Sequence, residues 1–226
     1  MTTASADIID LLAGIAPGDA LAAVRDQRAQ ARENAQRSFE ALLEPAEPGT
    51  FPLAERYAVA AFVARLHGFD GAADFYDDLL ADEAPELATR VAAAAASGRA
   101  DGPYGAYREP DLAGESVEGP RWEPEPELTA ALGGRLAAAL THAHLLVFRP
   151  REARAAALQA LVDAGWSADD IVSLSQLIAF LTFQLRVAWG LRVLAAAPAS
   201  AATVPTASAA TVPTASAATV LEGADR

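Results

Sequence analysis

Apolar residues recur at helical spacing along most of this chain, and nowhere do they alternate as a half-buried strand would require. Residues 6–13 predict a short first helix, halted near Gly14 and Pro17. Residues 18–44 predict a second helical region, with Phe39, Leu42 and Leu43 at its apolar end and its Arg, Glu and Gln positions facing water. Pro45, Pro48 and Gly49 break it. Pro52 suits the first turn of the next helix, where its missing N–H has no helical partner to lose. Leu53, Tyr57, Ala60, Ala61 and Ala64 follow on one face. Gly68 and Gly71 mark a tight connection into a helix near 71–80, and another runs over 86–97 to Ser97-Gly98.

From Arg99 to Glu127 the pattern lapses into Gly-Pro, Glu-Pro and an acidic Pro run, which reads as a connector that packs through Tyr104, Tyr107 and Trp122 or else moves. Helical spacing returns near Leu128, with Leu136, Leu140, His144 and Val147 on one face. Pro150 opens a further helix to about Ala164. Ser167, Asp169 and Asp170 suit the start of a long helix over 168–196, since acidic groups favour a helix N-terminus. That helix is apolar nearly all round, as expected inside a bundle or between subunits. After Pro198 an eight-residue Ala/Thr/Pro repeat reads as a flexible low-complexity tail. The expected layout is a first helical half (1–98), a connector (99–127), a second helical half (128–197) and the tail (198–226).

Composition sharpens this picture. Alanine dominates the 52% hydrophobic fraction, and alanine loses no side-chain entropy in a helix. The fold class expected is all-α. The net charge of −13 and the absence of lysine argue against nucleic acid and anionic membrane surfaces as partners. With no cysteine in the chain, disulfides, thiolate metal sites and thiol catalysis are excluded. The first residues lack a basic stretch, and the charge-free run Ile171 to Leu185 is shorter than the about 20 residues a bilayer needs. A cytoplasmic protein is expected.

The run Phe51-Pro-Leu-Ala-Glu-Arg-Tyr-Ala-Val-Ala-Ala-Phe-Val-Ala-Arg-Leu-His-Gly, with Phe69 to Tyr76 after it, resembles the carboxymuconolactone decarboxylase and alkylhydroperoxidase D superfamily. Ala164 to Arg186 is similar to that family's last core helix. The resemblance spans about residues 25–195 and implies two related helical halves. It also implies a Cys-x-x-Cys pair at a helix N-terminus, a histidine one turn on and a glutamate on the preceding helix. In this chain the cysteine positions fall at Phe69 and Ala72, the histidine at Tyr76 and the glutamate at Tyr57, with Glu55 two residues away. In the second half the equivalent positions are Pro150, Ala153 and Ala157. Thiol-dependent peroxide reduction is therefore excluded on chemical grounds, and Phe69, Ala72 and Tyr76 form an apolar stripe suited to helix packing.

Other polar candidates are few. Tyr57, His67 and Tyr76 could line a pocket as acid and base groups, against a packing role for the rings and a cap role for His67. His142 and His144, two residues apart, point about 200° from each other on a helix, so no single metal ion takes both. His144 is expected in the core and His142 at a polar edge. Ser175, Thr182 and Arg186 form a thin polar line, with Arg186 a candidate for a buried ion pair, an intersubunit salt bridge or an anion site. The functional expectation is a cofactor-free, non-peroxidatic accessory or scaffold protein, forming a homo-oligomer or pairing with a cysteine-containing relative. The alternatives are a thiol-independent enzyme of the decarboxylase or peroxidase-related type, and a small-molecule binding protein using the pocket near His67.

Overall fold

The computed structural model describes residues 7–197. They form an all-α bundle of α1 (Ile8–Ala13), α2 (Ala20–Asp26), α3 (Ala29–Leu43), α4 (Leu53–Leu66), α5 (Asp70–Glu83), α6 (Pro85–Ser97), α7 (Pro126–Leu132), α8 (Gly134–Phe148), α9 (Ala155–Asp163) and α10 (Ala168–Ala196). Two short 3-10 turns, Pro110–Glu115 and Pro150–Glu152, lie between them. The described residues up to Ala195 belong to one compact unit, so the two helical halves are not separate domains. The Ala/Thr/Pro repeat lies outside the described residues.

Helix α4 is the axis of the bundle and packs against α5, α6 and α8. Ala58 to Ala64 have no solvent exposure at all. The single apolar face expected for this helix is thus a full circumference, because its many alanines let neighbouring helices close in from every side. Phe51, which leads into it, is also fully buried and meets Trp166 edge-on at 5.0 Å. Arg56 lies over the Phe51 ring and donates to the Phe51 and Leu42 carbonyls at 2.8 and 2.7 Å, so a buried cation closes the loop that α3 leaves open.

The expected continuous helix over 18–44 is broken at Gln27-Arg28, with no glycine or proline there. In a straight helix Arg25 and Arg32 would stand about 10 Å apart along the axis. The break instead brings both guanidiniums onto the carboxylates of Asp7 and Asp10. These arginines therefore face α1 rather than water. Asp7 also caps α1 through the Asp10 N–H at 2.9 Å, and Gly14 ends that helix at φ 70, a conformation that favours glycine.

The connector is packed. Tyr104 N–H donates to the Phe148 carbonyl, Gly105 pairs with Val117, and Trp122 Nε1–H donates to Ser97 Oγ at 3.0 Å. Arg151 lies 3.9 Å over the Tyr107 ring. Gly119 runs so close beneath Tyr104 that a side chain there would collide with the ring. The helix expected from Pro150 instead starts at Ala155. Arg149 folds back onto Glu152 at 2.6 and 2.8 Å and holds the intervening residues in a 3-10 turn.

Helix α10 matches its expected bounds, and Ser167 Oγ accepts the Asp170 N–H at its start. Its 29 residues are long and apolar enough to cross a membrane by length and composition, and half of its most apolar window is buried within the bundle. Arg135 joins its N-terminus to the rest. The guanidinium pairs with Glu55 at 3.0 Å, donates to the carbonyls of Gly165 and Thr50 at 2.8 and 2.9 Å, and stacks 3.9 Å over Trp166. Arg135→Ala is expected to cost about 2–4 kcal/mol in urea unfolding, between the values for exposed and buried pairs. Arg135→Lys should recover only part of this, because an ammonium lacks the planar fork.

Candidate functional site

The junction of α4 and α5 carries the positions that the resemblance marks as reactive. Phe69 stands at the N-cap of α5, 3% exposed, with its ring edge-on to Trp189 at 5.5 Å. Ala72 and Tyr76 are fully buried. The Tyr76 hydroxyl donates to Gln184 Oε1 on α10, and burial pushes its pKa up, so it stays protonated. Phe69 and Tyr76 thus meet α10, and Ala72 is enclosed within the bundle. Tyr57 is also buried, and burial, then Glu44 and Glu83, raise its pKa. Glu55 is held by Arg135, while burial pushes its carboxyl up against that pull.

His67 ends α4. Its Nε2 is buried without a hydrogen-bond partner, and burial, aided by the Arg186 charge, lowers its pKa to about 4. It borders a cavity of about 210 Å³ with Phe69, Leu185, Arg186 and Trp189. Neither Tyr57 nor Tyr76 lines that cavity. Tyr57 lies ten residues back along the same helix, about 15 Å away along the axis. The three groups expected in one pocket are not brought together there.

Arg186 is exposed rather than buried, and none of the ion pairs among the described residues includes it. The reason lies in the placement of α10. Its outward line, Val172, Gln176, Ala179, Phe183, Arg186, Gly190 and Val193, faces solvent at alternating steps of four and three. Ser175 and Thr182 are half-buried beside it.

In the second half, Pro150 and Ala153 lie in and after the 3-10 turn, and Ala157 is on α9. His144 is buried as expected, with Nε2 3.0 Å from the Gly98 carbonyl. His142 is buried too, not at a polar edge, because α10 covers it; its Nε2 lies 3.2 Å from Ser175 Oγ. The two rings therefore serve different partners. A cavity of about 520 Å³ opens beside them, bordered by Trp122 of the connector, Thr141 and His144 of α8 and Ala157 of α9.

Comparison with known proteins yields no family model, no curated protein and no solved structure that matches the chain.

Sequence reasoning passed over Arg135 and Arg149, two cations that tie backbone carbonyls and carboxylates together around these sites. Arg149 is 1% exposed and also donates to the Gly119 carbonyl at 2.5 Å. Its spacing of three from Glu152 was the available signal; Arg135 reaches partners far away in the chain and left none.

Two outcomes are expected. Tyr76→Phe should cost about 1–3 kcal/mol in urea unfolding, the range for leaving a buried partner unpaired. The Tyr76→Phe/Gln184→Leu pair should cost less than the sum of the two single changes. Separately, an ordinary histidine takes up its proton near 6.5, whereas His67 in the folded chain does so near 4. Between those values the unfolded chain binds more protons, so stability falls as pH is lowered through that window. Burial lowers the pKa of His142 and His144 as well, which adds in the same direction. Unfolding titrations at pH 7 and 5 should show a smaller loss for His67→Gln than for the parent chain, and an equal loss would mean that His67 titrates as it would in water.

Proposed function

We propose that this chain is a carboxymuconolactone decarboxylase- and alkylhydroperoxidase D-like protein that works without peroxidase chemistry, as an oligomeric accessory or scaffold. The carrying observation is the burial of Phe69, Ala72 and Tyr76. Where the resemblance calls for an exposed thiol and a proton relay, the chain puts buried side chains, of which Phe69 and Tyr76 meet α10. A reactive group needs access to its substrate; of these positions only Phe69 borders a cavity, and its ring has no reactive atom.

Self-association is supported by the outward line of α10. Its four–three spacing is that of a coiled-coil seam. Val172, Phe183, Trp189 and Val193 on and beside it are each more than half exposed or close to it. An apolar strip of this kind along a whole helix is costly to leave in water. Arg186 within the strip has no carboxylate in its own chain among the described residues, and a second copy, or a cysteine-containing relative of the same fold, would supply one across the seam. The same reading takes α10 as a bundle helix rather than a membrane span, since half of its most apolar window is already covered and Arg186 and Arg192 interrupt it. The alternative of acid–base catalysis at His67 is weaker, because neither tyrosine reaches either of the cavities that His67 borders.

Size-exclusion chromatography with light scattering at micromolar concentration should give a dimer or larger species. Phe183→Glu, at a position half exposed and so free to change without unfolding the bundle, should convert it to monomer with an unchanged circular dichroism spectrum. A parent chain that runs as monomer would remove the scaffold reading. Hydroperoxide turnover with an external thiol as reductant is expected to be undetectable.

A further inference from the structure

Large and small side chains along the exposed line of α10 are placed so that the line complements its own reverse. Asp169, also exposed, extends that line by one step toward the start of the helix. Steps of three and four then alternate from Asp169 to Val193 without a break. A second copy running the other way therefore meets the line layer by layer, as in an antiparallel coiled-coil seam.

Gly190 is the position that its own chain leaves unexplained. It lies in the interior of a 29-residue helix, where glycine is weaker than alanine because it loses more backbone freedom. No neighbour requires the missing Cβ, since an atom built there would meet nothing within 4 Å. The glycine instead forms part of the wall of the cavity of about 210 Å³ beside His67, with Phe69, Arg186 and Trp189. A notch of this kind in an exposed seam is the hole that a knob from another helix fills.

Charge and side-chain size select the direction and the register. No ion pair among the described residues includes Asp169, Arg186 or Arg192, and all three are exposed. A parallel pair would set Arg186 on Arg186 and Asp169 on Asp169, like charges face to face. It would also leave Gly190 opposite Gly190 across a gap. The reversed pair that uses the whole line puts Val172 into the Gly190 notch, Ala179 against Phe183, and Gln176 against Arg186. Asp169 then lies beside Val193 and its neighbour Arg192. An amide oxygen thus serves Arg186 and a carboxylate serves Arg192. A shift of one heptad would bring Asp169 to Arg186 instead, but it would leave Trp189 and Val193, each more than half exposed, without cover.

We propose that two copies of this chain pair α10 with α10 antiparallel about a twofold axis, Val172 of each copy seated at Gly190 of the other. This rests on the self-association read above and selects a second copy over a relative, because the line is complementary to itself. In a twofold interface each contact occurs twice, so both cavities beside His67 are closed from across the seam. In the assembled protein that cavity is a packing socket, complete only when the other copy supplies Val172.

The absence of cysteine lets engineered thiols report this pairing. In Val172→Cys/Gly190→Cys the two thiols stand about 27 Å apart along one helix, too far for a disulfide within one chain. Mild oxidation of the full-length double variant at micromolar concentration should give a covalent dimer on a non-reducing gel, with a yield about tenfold above that of either single variant. If its circular dichroism spectrum shows it unfolded, Gln176→Cys/Arg186→Cys, at two exposed positions, makes the same test one layer further in. Single variants that cross-link as well as the double variant would mean a parallel pair. Efficient cross-linking in Val172→Cys/Phe183→Cys in its place would mean the shifted register. Either result, or a dimer by light scattering in which none of these variants cross-links, would overturn the pairing and leave self-association standing. A parent chain that is monomeric by light scattering would overturn both.

Discussion

Close approach of helices around α4 sets the positions of everything else. A helix can be enclosed on all sides only if its own side chains are short enough for several neighbours to reach its backbone, and Ala58, Ala60, Ala61 and Ala64 meet that condition. Each alanine removes little apolar area from water, so the large groups sit one layer out. Phe51, Tyr76, Leu80 and Leu140 are all fully buried around that axis. Dense packing of this sort gains many weak dispersion contacts and leaves few voids. It also demands that the loops at both ends close tightly.

That closure is made by arginine. Arg56, Arg135 and Arg149 each hold at least one backbone carbonyl, and Arg56 and Arg135 also lie over an aromatic ring. Only a planar group with several donors can bond a carbonyl and stack at once, which lysine cannot do. The absence of lysine from the chain fits this use of its cations. Much of the acidic excess is then left on the outside, where it is solvated.

The helices were legible in the chain because their signals are local. Pro52, Ser97-Gly98 and Ser167 with its following aspartates mark boundaries found within a residue or two of their places. The break at Gln27-Arg28 was not legible, since its cause is a pair of carboxylates on another helix. Depth was also misread. Alanine-rich α4 looked one-sided and lies at the centre, while α10, with the longest apolar run, keeps one line in water. Hydrophobicity records how much a residue gains from burial, not whether its neighbours can come close. At the candidate sites, the loss of thiols and of the relay histidine could be read directly. The separation of Tyr57 from the cavity beside His67 could not be read, because it depends on which side of α4 each neighbour covers. The Trp122 cavity left no local trace, being assembled from a connector and three helices.

The enclosure of α4 has one more consequence, for how this chain can vary. Its least replaceable positions are chemically the plainest ones, where even one added methylene has nowhere to go, as small-to-large changes in close-packed cores show. Neutral drift is therefore confined to the outer layer, and lineages that diverge from this chain should keep its alanines longer than its histidines or tyrosines.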